Sequence, residues 1–260
     1  MPSLRRFLTR NQLIGTAAVV ATCLAACGPA PPVPVSAAQS SAGDPDPPRP
    51  NVVSSTVSAR STATLRLVAL GDSLTAGLGL APDEAYPAHL QARLDAAGYD
   101  VMVVNAGVSG ETTAGGLRRL EWALEGDVAL LIVALGGNDG LRGLPVEQMK
   151  DNLDEIITQA KYRGAEILLI GMEAPPNFGQ AYTEAFRRVF SDLAHEHEVG
   201  FVPFLLEGVA GEPGLNQADG IHPNARGAQE VAAHLWPVVE SLVDRVVGEV
   251  VGSSSVLERQ

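Results

Sequence analysis

The stretch LVALGDSLTAG, Leu67 to Gly77, carries an unbroken apolar run straight into Gly71-Asp72-Ser73. Together with Leu65 and Arg66 the run LRLVAL reads as a strand, and the polar residues after it as the entry to a helix. Within these eleven residues two explanations of the serine stand side by side. Ser73 or Thr75 caps the helix that follows a buried strand, or Ser73 is a nucleophile.

The same unit recurs along the chain. The strand-like runs VMVVNAG (101–107), VALLIVAL (128–135), AEILLIGM (165–172) and GFVPF (200–204) alternate with helical segments at 86–98, 113–124, 145–164, 180–197 and 225–243. Pro145 opens the third of these helices and Gly164 closes it, with Val146, Met149, Leu153, Ile156, Ile157 and Ala160 as its apolar stripe. Continuous apolar strands, each followed by a helix, predict a five-stranded parallel sheet covered on both faces, a three-layer α/β/α domain. In open sheets of this class ligands bind beyond the carboxyl ends of the strands. The residues that follow each strand are therefore the ones to inspect.

The domain so defined spans residues 64–247 of the 260-residue chain, enough for one core, with no internal repeat and a loose tail expected over 248–260. A net charge of −12, with no Lys/Arg cluster beyond the N-terminus, leaves no footprint for nucleic acid. The two cysteines, Cys23 and Cys27, both lie in the N-terminal apolar segment, which excludes a disulfide framework and any site built from several cysteine ligands.

That segment reads as an export signal. Arg5, Arg6 and Arg10 form a positive start, and LIGTAAVVATCLAA (13–26) is an apolar stretch too short to span a bilayer comfortably. It ends in Leu24-Ala25-Ala26-Cys27, which resembles a bacterial lipobox; an ordinary cleaved signal or a retained anchor helix are the other readings. The expectation is a signal peptide over 1–26 and a lipid-carrying Cys27, holding the protein on a membrane, at the periplasmic side or the cell surface. Residues 27–63 follow as a tether: 28–50 hold eight of the 18 prolines among Ala, Ser and Gly, an extended composition that buries nothing.

Four groups follow the strands or precede the last helix. They are Gly71-Asp72-Ser73, then Asn105-Ala106-Gly107, then Gly136-Gly137-Asn138-Asp139, and late in the chain Asp219 and His222 within NQADGIHPN. Singly, each has a plain structural explanation: Ser73 a cap, Gly107 a turn glycine, Asn138 an Asx-turn, Asp219 a loop turn, His222 a surface residue. Jointly they map a hydroxyl, a glycine backbone, an amide and a carboxylate–imidazole pair to one rim, the parts needed for acyl transfer. A serine hydroxyl is a weak nucleophile without an adjacent base, and His222 is the candidate base. Asp219, three residues earlier, can hold the imidazole in its working tautomer. The N–H groups of Ser73 and Gly107 and the side-chain amide of Asn138 are candidate donors to the oxyanion. A side chain at position 107 would obstruct the substrate oxygen on this reading.

The Gly-Asp-Ser-Leu, the isolated Gly107, the Gly-Gly-Asn-Asp and the Asp-Gly-Ile-His resemble, in order, the four blocks of the SGNH (GDSL) hydrolase family, over residues 65–243. NAGVSGETTAGGL, GGNDGLRGLP, PPNFG and NQADGIHPN look most like the branch containing thioesterase I, lysophospholipase L1 and secreted arylesterases. The resemblance implies a flavodoxin-like sheet in order 2-1-3-4-5. It also implies the same roles: Ser73 nucleophile, His222 base, Asp219 orienter, and Ser73, Gly107 and Asn138 as oxyanion hole. The lipobox and the long tether depart from the plain signal peptide of many relatives.

The expected activity is a serine esterase acting through an acyl-enzyme on small-molecule esters or thioesters, aryl esters, short to medium acyl chains or lysophospholipids, with no metal or cofactor. A carbohydrate O-deacetylase on the same fold and a non-catalytic surface lipoprotein are the alternatives. Short loops predict a shallow site without a large lid, walled by APPNFG (174–179) and ETTAGG (111–116). His195 and His197, two apart, face different sides of their helix and read as a solvated helix end rather than a metal site. Trp122 and Trp236 are expected to pack within their helices.

Overall fold

The computed structural model describes residues 64–257, with side chains described through Gly248. The expected signal peptide (1–26), the lipidation candidate Cys27 and the tether (27–63) lie outside the described residues.

Five strands form one sheet: β1 (Leu65–Gly71), β2 (Val101–Gly107), β3 (Val128–Ala134), β4 (Glu166–Ile170) and β5 (Gly200–Val202). Every neighbouring pair is parallel. Their order is β2-β1-β3-β4-β5, the flavodoxin-like arrangement. The central strands show why the apolar runs are unbroken. Leu67 to Leu70 in β1 and Leu131 to Val133 in β3 are fully buried, because helices cover both faces. At the edge, β2 exposes Met102 and Asn105 and buries Val101 and Ala106, so its apolar run is interrupted by a polar residue near its carboxyl end.

The helices, in chain order, are α1 (Ser73–Ala76), α2 (Tyr86–Ala97), α3 (Thr113–Arg118), α4 (Leu120–Ala123), α5 (Gly137–Leu141), α6 (Val146–Tyr162), α7 (Gln180–Glu196) and α8 (Ala225–Leu257). Parallel crossovers are right-handed, so the direction of each step decides the face its helix covers. The step from β1 to β2 puts α2 on one face. The steps from β2 past β1 to β3, and on to β4 and β5, put α3, α6 and α7 on the other. The last helix, α8, returns to lie beside α2. Because the chain leaves β1 in one direction and reaches β3 in the other, a crevice opens between the carboxyl ends of those two strands. Ser73 follows β1 and Asn138 follows β3, so both stand at that crevice.

Two elements differ from the sequence expectation. The helix expected over 113–124 is two short ones, broken at Arg119 (φ −109°, ψ 10°). Arg119 turns its guanidinium inward, pairs with Glu111 and donates to the Gly71 carbonyl at 3.1 Å. The two glycines there serve close packing. A Cβ on Gly116 would lie 2.3 Å from Leu135 Cδ1, and one on Gly115 2.4 Å from Glu111 Cγ. The segment from 248 expected as a loose tail instead continues α8 as far as Leu257. Gly248 is absent from the glycines with positive φ, so it does not make the left-handed turn by which a glycine ends a helix.

Candidate active site

The turn from β1 into α1 is built around Asp72, not Ser73. Asp72 is the N-cap, its carboxylate accepting from Leu74 N–H at 3.0 Å. With the cap position filled, Ser73 becomes the first residue of α1, and its hydroxyl is left for other work. The turn is tight: a Cβ on Gly71 would lie 2.0 Å from Thr75 Oγ1.

The imidazole comes from the segment between β5 and α8, residues 203–224. Asn216 and Pro223 form an antiparallel bridge, Gln217 N–H donates to the His222 carbonyl at 2.8 Å, and Asn224 N–H donates to the Leu215 carbonyl at 2.9 Å. Gln217 Nε2 reaches out of this loop to the Leu78 carbonyl at 2.7 Å, tying it to the chain just beyond α1. Nothing in the sequence pattern around Gln217 announces that tie.

So held, His222 Nε2 lies 2.9 Å from Ser73 Oγ, and His222 Nδ1 lies 2.7 Å from Asp219 Oδ2. The Asp219 carboxylate accepts an N–H from His222 Nδ1, which leaves Nε2 free to accept the serine proton. The other oxygen, Oδ1, accepts from the backbone N–H groups of Ile221 (2.9 Å) and His222 (3.0 Å). The Ile221 N–H, then the His222 side chain, and then the His222 N–H hold the Asp219 carboxyl down at about 2. With 44 % of its side chain exposed, little desolvation opposes the ionised form.

Asn138 is the second residue of α5, whose N-cap Gly136 has a left-handed φ of 114° that turns the chain back over β3. The Asn138 side chain lines the same cavity as Ser73 and His222, and its Nδ2 donates to Asp72 Oδ2 at 3.1 Å. Gly107, at the end of β2, is placed differently. Its N–H donates to Asn105 Oδ1 at 3.0 Å, while Asn105 Nδ2 donates to the Thr75 carbonyl at 2.8 Å. The reason for a glycine at 107 also differs from the expected one. A Cβ there would stand 2.2 Å from the Ala76 nitrogen and 2.7 Å from the Thr75 carbonyl carbon. It would strike the backbone of α1 before it met any substrate.

The cavity beside Ser73 holds about 360 Å³. Leu74, Leu78, Leu141, Met172, Phe204, Leu206, Ala210 and Ile221 give it an apolar wall, while Asn138, Ser109 and His222 bring polar groups to it. Of the expected walls, 174–179 contributes only Pro175, and 111–116 contributes none of its residues. The polar side chains of that second loop are engaged elsewhere: Glu111 with Arg119, Thr112 as the α3 cap, and Thr113 with Asp139 at 2.7 Å. Ser109 and Gly110 take its place. The segment 203–224 is the exception to the expectation of short loops, and it supplies Phe204, Leu206, Ala210, Gly220 and Ile221 as well as His222.

Other sequence candidates fall away from this cavity. His197 is paired with Asp154 of α6 rather than solvated, tying the end of α7 to its neighbour. Among the described residues no three His, Cys, Asp or Glu side chains are grouped to hold a metal ion. Trp236 packs against the core, whereas Trp122 is 57 % exposed.

Over most of its described length the chain is similar to known proteins. The GDSL-like Lipase/Acylhydrolase family pattern matches residues 69–230. Esterase TesA of Pseudomonas aeruginosa is 45 % identical over 182 residues, 70 % of this chain and 90 % of that protein. The Escherichia coli K12 protein named thioesterase 1/protease 1/lysophospholipase L1 is 41 % identical over 186 residues, 69 % of this chain and 88 % of that protein. A crystal structure of TesA superposes with a TM-score of 0.66 at 46 % identity, covering 68 % of this chain and 99 % of that one.

Proposed function

This chain belongs to the GDSL-like Lipase/Acylhydrolase family and is a serine esterase, and we propose that Ser73 is its nucleophile, His222 its general base and Asp219 the carboxylate that orients the base. The observation that carries these roles is the 2.9 Å approach of His222 Nε2 to Ser73 Oγ. As Oγ attacks the acyl carbonyl, its proton passes to Nε2 and the carbonyl oxygen becomes an oxyanion. The imidazolium, stabilised by Asp219, then gives that proton to the departing alkoxide or thiolate, leaving an acyl–Ser73 ester. Water repeats the sequence with His222 again as base and releases the acid. None of these steps calls on a metal or cofactor.

The oxyanion is met by the Ser73 N–H, the second Nδ2 hydrogen of Asn138 and the Gly107 N–H, which Asn105 Oδ1 holds in the resting structure. Losing one such donor typically costs on the order of 100- to 1000-fold in rate. The open apolar cavity suits the acyl part of small-molecule esters and thioesters: aryl esters, short to medium acyl chains and lysophospholipids. The comparisons favour neither a carbohydrate deacetylase nor a non-catalytic lipoprotein. Ser73→Ala is expected to cut turnover of p-nitrophenyl butyrate at least about 1000-fold with an unchanged far-UV spectrum. A fluorophosphonate should label the native protein and not the variant; activity retained without Ser73 overturns the assignment.

The location proposed for this esterase is a membrane surface. Support comes from the positive start, the short apolar stretch and the Leu-Ala-Ala-Cys at 24–27. Two or more acyl chains on Cys27 would anchor it stably. Radiolabelled palmitate should enter the full chain in a bacterial host and fail to enter Cys27→Ser; equal labelling of both refutes lipidation at that residue.

A further inference from the structure

We propose that Asp72 is a positioning residue for the oxyanion hole: its carboxylate selects the orientation of the Asn138 amide that turns N–H, and not C=O, toward the reacting oxygen. The proposal rests on the esterase reading above and adds to it a buried group that the acid–base chemistry does not use.

An asparagine amide is nearly symmetric in shape and opposite in polarity at its two ends. Oxyanion stabilisation needs the donor end, and the wrong orientation would set a carbonyl oxygen against a developing negative charge. Something must therefore choose between them. Asp72 is 3 % exposed, and its two oxygens have separate tasks. Oδ1 accepts from the Leu74 N–H at 3.0 Å, while Oδ2 accepts from Asn138 Nδ2 at 3.1 Å. An ionised carboxylate offers only acceptors, so the Asn138 oxygen cannot occupy the position facing Oδ2. The nitrogen takes that place, and its second hydrogen is left at the edge of the cavity that Ser73 and His222 also line. Gly137 keeps the two strand ends close enough for this contact, since a Cβ there would lie 3.0 Å from Asp72 Oδ2. The cap alone does not require an aspartate: Asn and Ser satisfy an N-cap comparably, but only a carboxylate both caps and repels an amide oxygen.

A double-mutant cycle on the full chain with p-nitrophenyl butyrate tests this. Asp72→Asn keeps a cap acceptor and can present a donor to Asn138, so the amide is free to reverse. The expected result is a fall in kcat of about 100-fold, with KM within about 3-fold. In an Asn138→Ala background, where no amide remains to orient, the same change should cost less than about 3-fold. Asp72→Ser, which caps but is too short to reach Asn138, is run through the same cycle in case the first variant does not fold. A ratio of the two losses above 10 supports the proposal, and a ratio below 10 overturns it, since a merely structural Asp72 would matter equally in both backgrounds. Ser73→Ala separates the two levels: if it remains active the esterase assignment falls, whereas an inactive Ser73→Ala beside a ratio below 10 removes only the role of Asp72.

Discussion

His222 Nε2 and Ser73 Oγ stand 2.9 Å apart although 149 positions separate them in the chain. The distance is set by two independent attachments: Asp219 fixes the ring from one side, and Gln217 fixes the loop to the carbonyl beyond α1. Each attachment makes its own prediction, because one acts on the tautomer and the other on the position of the imidazole.

The first concerns Asp219. An asparagine at 219 can retain the loop contacts to the Ile221 and His222 N–H groups, but it no longer stabilises the imidazolium. Asp219→Asn should lower kcat by roughly 10³- to 10⁴-fold with little change in KM. Because the three side chains act as a unit, adding this change to His222→Ala should cost less than about 10-fold more. Steady-state kinetics on p-nitrophenyl butyrate measures both; full additivity would separate Asp219 from the base.

The second concerns pH and stability, where the two aspartates act in opposite directions. The Asp219 carboxyl is lowered from 3.8 to about 2 by the Ile221 N–H and the His222 contacts, so it contributes stability above pH 3.8 that is lost as pH falls toward 2. Burial raises Asp72 from 3.8 to about 6, against the pull of the Leu74 N–H, Asn138 and His222, with Asp139 adding to the rise. The folded protein therefore holds the Asp72 proton more tightly than the unfolded chain does, and stability is lost as pH rises from 3.8 to 6. At pH 8 the buried charge costs on the order of 3 kcal/mol. Asp72→Asn removes that cost, so its effect on stability should be more favourable at pH 8 than at pH 4 by up to about 3 kcal/mol. Denaturant melts at the two values check it; a pH-independent difference would mean that the carboxylate is not penalised by the fold. A residue kept at a cost to stability fits a role in the reaction.

Much of this architecture was legible in the chain, for a physical reason. Leu67 to Leu70 and Leu131 to Val133 are buried on both faces, so their strands are apolar without interruption. Ser73, Asn138, Asp219 and His222 sit directly at strand ends or in the loop before the last helix, where a parallel sheet gathers its ligands. What stayed hidden depends on contacts across the chain. The turns of 203–224 have no period that betrays which residues fold inward, so Phe204 and Leu206 were not foreseen as cavity wall. His197 looked solvated because its partner, Asp154, lies on another helix. Asp72 has no role of its own in the sequence, where Ser73 or Thr75 stands as the cap, because its contact to Asn138 lies 66 positions away.

The third prediction separates two reasons for a glycine at 107. A Cβ there would stand 2.2 Å from the Ala76 nitrogen, a clash with backbone that no side-chain rotation relieves. Forced overpacking of this kind typically costs about 1–3 kcal/mol. Gly107→Ala should therefore lower the melting temperature by roughly 3–10 °C as well as slowing turnover. Were the glycine needed only to admit the substrate oxygen, calorimetry would find the melt unchanged while kcat fell.

The last prediction concerns Gln217, which no reading of the chemistry would select. Its Nε2 bridges the Leu78 carbonyl at 2.7 Å and the Pro223 carbonyl at 2.9 Å, joining the loop that carries His222 to the chain just beyond the helix that carries Ser73. Opposite it, Gly79 has a φ of +80°, and a Cβ there would lie 2.4 Å from Gln217 Oε1, so the two loops are packed in direct contact. Gln217→Ala removes the bridge without touching Ser73, Asp219 or His222. Because a displacement of about 1 Å between reacting groups can cost on the order of 100-fold, kcat should fall roughly 10- to 100-fold while the melt barely moves. Fluorophosphonate labelling of Ser73 should slow by a similar factor, since it draws on the same pairing of hydroxyl and imidazole. Native labelling and turnover in Gln217→Ala would show that Asp219 alone holds the base in place.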